Sequence, residues 1–385
     1  MDIKDIARPL DGAALSAFLG SLPARPRLLG LGEATHRVKE LRDLRNELFP
    51  HLVEHDGYRA IVLEIDCLKA RIVNDHVTTG KGSLDEVMAH GFSHDFGSLP
   101  GNRELVRWMR AYNEEHDEKL RFFGFDGPLE YWAHSPREAL TGLYDLLREP
   151  YPCTRETLDA LLGADERWSD EESAMNPARS IGRSPEAVRL RVIADDLVAL
   201  LETQKPRLSD EDREQAELYA RTATGLLRYH YWLADDSPVR WTRLSALRAV
   251  MMADNLCAIA ERHGPALVFS HNLHLQRNES TMPFGDDVLR WSSAGAITQT
   301  RLGSGYAFLA SALGTVAGEP PAPDTVEGRM ATLPWDRSLL DAGRLATLPG
   351  MSTRVPPDFA YFPLDPAHLA TADAVVFIRE TTQEM

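Results

Sequence analysis

Four short apolar runs, separated by stretches of helical periodicity, each end in a polar cluster. Arg27–Gly32 leads into Glu33-Ala34-Thr35-His36, and Arg59–Leu63 into Glu64-Ile65-Asp66. Arg121–Phe125 leads into Asp126, and Ala266–Phe269 into Ser270-His271-Asn272-Leu273-His274. Runs of this length between helical stretches predict parallel strands, and open parallel sheets bind ligands beyond the carboxyl ends of their strands. With all four in one sheet, three histidines and several acids converge on a single crevice.

The intervening pattern predicts the helices. Val38, Leu41, Leu44, Leu48, Leu52 and Val53 recur at helical spacing between His36 and Glu54. Thr35 is a candidate N-cap, Pro50 predicts a kink or break, and Gly57 ends the element. Glu104–Tyr112 predicts another helix, and Thr79–Arg103, rich in Gly, His and Ser, an irregular stretch of the kind that borders sites. From Pro136 to Val239 helical periodicity takes over, in Arg137–Leu147, Thr157–Leu162, Pro185–Thr203 and Asp210–Ala234, with no strand. Further strands are predicted at Tyr306–Leu309 and Ala374–Arg379, with Pro320–Phe362 as a surface excursion. The expected fold is α/β, a mostly parallel central sheet flanked by helices. Residues 1–135 and 246–385 form its core, and 136–245 a helical insertion or lid.

Composition narrows the function. At 385 residues, 43% hydrophobic and 26% charged, the chain suits a globular protein with a sizeable core. A net charge of −16 argues against nucleic acid as partner, since phosphate contacts need clustered Lys and Arg. The absence of a long apolar run and of an apolar signal core argues against a membrane partner. Cys67, Cys153 and Cys257 are widely spaced, as in reduced thiols of a cytoplasmic protein.

The polar clusters carry acid–base chemistry. Glu33 and His36 lie three apart on a strand-to-helix turn, where a carboxylate fixes the tautomer of an imidazole that transfers protons near neutral pH. His271 and His274 follow a strand directly, in His-x-x-His. Glu64 closes an apolar strand, where burial demands a partner or a function, and Arg45 is a candidate partner. Asp126 is similar but less specific. Tyr231 and Trp232, on the last insertion helix, are candidate substrate contacts, although their spacing also fits core packing. No Gly-x-Ser-x-Gly elbow, Walker A loop or Gly-x-Gly-x-x-Gly turn occurs, and none of the familiar zinc-hydrolase spacings.

Leu31-Gly32-Glu33-Ala34-Thr35-His36, Leu63-Glu64-Ile65-Asp66 and Ser270-His271-Asn272-Leu273-His274 together resemble the erythromycin esterase-like family. The resemblance implies a metal-independent hydrolase, without cofactor, that opens an ester or lactone of a small molecule, macrolide-like or another natural-product ester. It places Glu33, His36, Glu64, His271 and His274 on the catalytic motifs and Arg45 on the family's helix arginine; Arg45, Arg37 and Asp126 are the expected substrate-binding residues beside them. Arg37 replaces the motif glycine, Ile65 and Cys67 replace Ala and Trp after Glu64, and Leu273 and Leu275 flank His274. Retained acid–base residues among changed neighbours imply the same chemistry on a different substrate. Two rival readings use the same residues: a metal-dependent hydrolase, and a non-hydrolytic binding or biosynthetic accessory protein in which Arg37 fills the water site.

Overall fold

Among the described residues ten strands form two sheets. In chain order they are β1 (Ala7–Pro9), β2 (Leu28–Glu33), β3 (Ala60–Asp66), β4 (Arg121–Asp126), β5 (Ala266–His271), β6 (Glu279–Phe284), β7 (Asp287–Ser292), β8 (Tyr306–Thr315), β9 (Arg337–Asp341) and β10 (Ala374–Glu380). The computed structural model describes residues 2–130, 133–147, 151–285, 287–357 and 360–381. Eight strands make the main sheet in the order β1-β9-β10-β8-β2-β5-β3-β4, and β6 pairs with β7 as a separate hairpin. From β10 to β4 every neighbour is parallel; β9 runs antiparallel to β10 and to β1. The main sheet is thus mostly parallel and flanked by helices, and all six strands predicted from apolar runs belong to it.

Full burial explains why these strands read as continuous apolar runs. β2, β3 and β5 are buried at every position, with helices on both faces. One core lies between the sheet and the helices Lys39–His55 and Pro100–Glu115, and another beneath Arg240–His263. A third fills the helical segment, joining Leu140, Leu158, Trp168, Leu190 and Leu197 to Cys67 and Leu68 just after β3. Among its described residues the stretch 136–239 contains no strand, and the helices Arg137–Leu146, Arg155–Leu162, Pro185–Gln204 and Asp210–Leu233 follow their predicted positions. The expected boundary at 245/246 falls inside the continuous helix Arg240–His263, which packs on both layers.

Three local expectations are corrected. The helix after β2 starts at Lys39, with Val38 rather than Thr35 at its N-cap. It is not broken at Pro50 but continues to His55, because a proline there removes a single backbone bond while Leu41, Leu44, Leu48, Leu52 and Val53 anchor both sides of it. Pro320–Phe362 is not merely a surface excursion. It contributes the helix Val326–Met330 and strand β9, whose Ser338, Leu339 and Leu340 are buried. Asp358 and Phe359, in that stretch, lie outside the described residues.

Chain order reverses at the middle of the sheet. β2 connects outward to β3 and β4, then β5 returns between β2 and β3 before the chain crosses to β8 and β10. This is a topological switch point, and a crevice opens beyond the strand ends there. Two glycines shape it. A Cβ on Gly32 would lie 1.8 Å from Asn272 Oδ1, the side chain that bonds both backbone groups of Ser311 on β8. A Cβ on Gly124 would meet the carbonyls of Ile65 and Asp66 at 2.5 and 2.7 Å, where β3 bulges by one residue against β4.

Candidate active site

The ends of β2, β5, β3 and β4 are consecutive in the sheet and deliver Glu33, His271, Glu64 and Asp126 side by side. Glu33 and His271 are register partners across β2 and β5. The turn after Glu33 brings His36 back over the crevice, its Nδ1–H donating to Glu33 Oε2 at 2.9 Å. Arg37, the next residue, has a left-handed backbone with φ of 64°. That is the conformation a glycine adopts without strain, and it explains the chain path that an arginine occupies here at some cost.

Glu64 is the hub. Its Oε2 accepts from the Ser270 hydroxyl (2.7 Å) and the His271 backbone N–H (2.9 Å). Its Oε1 faces three cationic or protonatable groups: His274 Nε2 at 3.2 Å, Arg248 Nη2 at 3.6 Å and His36 Nε2 at 3.8 Å. Arg248 also grips Asp126 with two nitrogens, at 2.6 and 3.1 Å. His94 Nε2 lies 3.7 Å from the same carboxylate. Carboxylates and basic side chains therefore alternate along one line: Glu33, His36, Glu64, Arg248, Asp126, His94.

Charge states follow from that alternation. Burial disfavours the His36 imidazolium, but the Glu64 and Glu33 carboxylates outweigh it and raise its pKa to about 9. Burial likewise works against ionised Glu64, yet His274, His36 and Arg248 hold it well below the usual carboxylate range. Asp126 is lowered in the same way, by Arg248 and His94 against burial. His271 is the exception. Burial and the neighbouring His36 charge lower its pKa to about 3, so it is neutral. Its Nδ1 accepts from the Leu273 N–H and its Nε2–H donates to the Ala360 carbonyl, at 3.2 and 2.9 Å. Both ring nitrogens are occupied, and the ring stands 5.1 Å from that of His36 as a neutral wall.

The other predicted residues lie further out. Arg45 is fully buried and does not pair with Glu64. Its guanidinium bonds Asn46, Asn102 and the Gly101 carbonyl and lies over the Phe269 ring. Arg248 takes the place expected for it beside Glu64. Arg37 is half-exposed and points to Asp95, 3.7 Å away. Tyr231 stacks against Arg183 and Arg191, and Trp232 against Arg183 and Arg243. Tyr229, on a different face of that helix, lies close enough to Arg248 and Asp126 to feel their charges.

Two members of the line were not anticipated as site residues, Arg248 and His94. His94 belongs to the irregular stretch flagged as a possible site border. Its backbone and that of Asp95 are both left-handed, with φ of 58°. Its ring contacts Phe96, which in turn contacts His36. Left-handed backbone at Arg37, His94 and Asp95 thus clusters around one mouth. Among the described residues no three His, Cys, Asp or Glu side chains are grouped as a metal ion requires.

Fold and site together define a doubly wound α/β protein with a histidine–carboxylate centre at its switch point. The chain belongs to the erythromycin esterase family, whose profile matches residues 53–381. That stretch begins after Glu33 and His36, whose membership of the site rests on the geometry above. Two Escherichia coli proteins are similar in sequence. Erythromycin esterase type II is 29% identical over 110 residues, 29% of this chain and 26% of that protein. Erythromycin esterase type I is 22% identical over 309 residues, 74% of this chain and 72% of that one. Among solved structures, a Bacillus cereus protein matches with a TM-score of 0.75 at 18% identity, over 99% of this chain and 97% of that one. A mutant erythromycin esterase, EreC, in its open conformation matches at 0.71 and 17%, over 98% of each chain. A succinoglycan biosynthesis protein matches at 0.66 and 20%, over 99% and 96%. These likenesses show the fold. No helix among the described residues is long and apolar enough to cross a membrane.

Proposed function

We propose that the protein is a cytoplasmic hydrolase that splits an ester or lactone of a small natural product by histidine-assisted attack of water, without a metal. The observation that carries this reading is the Glu33–His36–Glu64–His274 arrangement on adjacent strand ends. In its neutral form His36 takes a proton through Nε2 from a water, while Glu33 fixes Nδ1. The resulting hydroxide adds to the acyl carbon, and the developing oxyanion faces the cationic side of the centre, Arg248 and His274. Collapse breaks the C–O bond, and His274 returns a proton to the leaving alkoxide. Glu64 stabilises whichever imidazole carries the proton: His36 gains one as His274 gives one up, and exchange with solvent, as the product acid ionises, returns the pair to its starting state. Proton transfer of this kind contributes about 10²–10⁴-fold, and an oriented donor at the oxyanion a comparable factor.

Two features support water attack over the rival readings. His271 has no ring nitrogen left for a metal, and His36 and His274 both turn to the same Glu64 oxygen rather than to a common vacant point. Arg37 leans out to Asp95 rather than filling the hollow, which favours turnover over mere binding. Its presence beside the mouth favours a substrate other than a macrolide. A panel of aryl esters, lactones and macrolides, assayed with chelator-treated and untreated enzyme, tests the reading. Hydrolysis that survives chelation supports it; hydrolysis that tracks stoichiometric metal overturns it, as does tight ligand binding with no turnover of any member.

A further inference from the structure

A cavity of about 680 Å³ opens along the outer edge of β4, between the helices Ala70–Thr79, Asp210–Leu233 and Arg240–His263. Its volume is that of a small-molecule site. Five arginines line it: Arg213 and Arg262 pair with acids, and the other three, Arg71, Arg121 and Arg221, come from three different elements. Among the described residues none of the three has a carboxylate within ion-pair distance. Arg71 donates to the Tyr219 hydroxyl at 2.6 Å, and Arg221 donates through Nε to Asn255 Oδ1 at 3.2 Å. The two Nη groups of Arg221 meet no protein acceptor among the described residues.

The acids of the same wall are already matched. Asp75 pairs with Lys81, Asp210 with Arg213, and Glu214 with His263. Glu217 pairs with both Lys205 and Arg262. Glu211 is exposed, while Glu214 lies near enough to Arg121, and Glu217 and Asp254 near enough to Arg221, to feel their charges without forming an ion pair. With five arginines against five acids the lining is charge-balanced, in a chain whose net charge is −16. Burial depresses the basicity of Arg221, and the more distant Glu217 and Asp254 offset only part of that loss.

We infer that this cavity binds a compact anion carrying clustered carboxylate or phosphate groups, with Arg221 as the principal contact and Arg121 and Arg71 flanking it. Guanidinium forks match either group with paired, charge-assisted hydrogen bonds. The site is separate from the catalytic line but adjoins it. Asn255, which holds Arg221, also donates to the Phe125 carbonyl, one residue before Asp126. The inference does not depend on the reaction proposed above.

Calorimetric titration of the full chain with citrate and with pyrophosphate tests it. Saturable binding of either anion is the expected result, and which one binds tighter assigns carboxylate or phosphate. Arg221→Gln should weaken binding about tenfold or more, the loss of a charge-assisted pair. Arg121→Gln, at an exposed position, should weaken it about threefold. Arg155→Gln, outside the cavity, should leave it unchanged. Should Arg221→Gln fail to fold by circular dichroism, Arg121→Gln decides. The inference is overturned if neither anion binds at millimolar concentration, or if the folded cavity variants bind as the wild type does.

Discussion

The helical segment and the strand ends are both rich in opposite charges, and they use them differently. In the helical segment Arg137 meets Asp159 and Asp165, and Arg155 meets Asp145 and Asp159, every partner open to solvent. Such pairs hold surfaces in register at about 0–1 kcal/mol each. At the strand ends Glu33, Glu64 and Asp126 are buried, and for Glu64 and Asp126 the neighbouring cations outweigh burial and hold the carboxylate ionised. Surface charges there are interchangeable; buried ones depend on one another, and that dependence lets one group set the protonation of the next.

The comparison breaks most sharply at Glu64. Glu64→Gln leaves His36, His274 and Arg248 without their shared anion, so it should lower unfolding stability by about 3–5 kcal/mol and remove most turnover. Urea denaturation and ester hydrolysis check both, and an unchanged unfolding midpoint would refute the alternating line. His36→Ala should reduce turnover by about 10²–10⁴-fold while keeping the fold, since its side chain is partly open to the crevice. Loss of the folded state, or full activity in a folded variant, would remove His36 from the mechanism.

The pH profile sharpens the same contrast. With the His36 pKa near 9, kcat/KM should rise about tenfold per pH unit from neutrality and level off near pH 9. A fall over that range would make His36 the acid instead. Glu33→Gln should move the plateau to lower pH, because one of the two carboxylates that raise the pKa is gone. The stability sign is fixed as well. A pKa raised on folding stabilises fully below the unfolded value of about 6.5 and is lost as pH rises through about 9. The stability gap between wild type and His36→Ala should therefore shrink across that window. The smallest effect belongs to the helical segment, where Arg155→Ala should change stability by less than about 1 kcal/mol and leave turnover alone.

Much of this arrangement was legible in the sequence because burial on both faces leaves an uninterrupted apolar signature, and a polar residue ending such a run stands out. Glu33, Glu64, Asp126, His271 and His274 were visible for that reason. Arg248 was not, since a helix from Arg240 to His263 with several arginines gives no sign of which one turns inward. Arg45 misled for the converse reason: its helical position faced the sheet, but Asn46 and Asn102 intercept its donors. β9 escaped notice because three buried residues between polar flanks carry too little pattern. His94 is placed by left-handed backbone, which side-chain periodicity does not encode.

The fit between Gly32 and Asn272 has its own evolutionary consequence. One position must stay bare because the other's amide occupies the missing volume while it ties down β8. A single substitution at either spoils the join, so the width of the cleft floor is inherited as a unit. Diversity in what the cleft admits must then arise at its rim, where Arg37 and Asp95 already tolerate an awkward backbone.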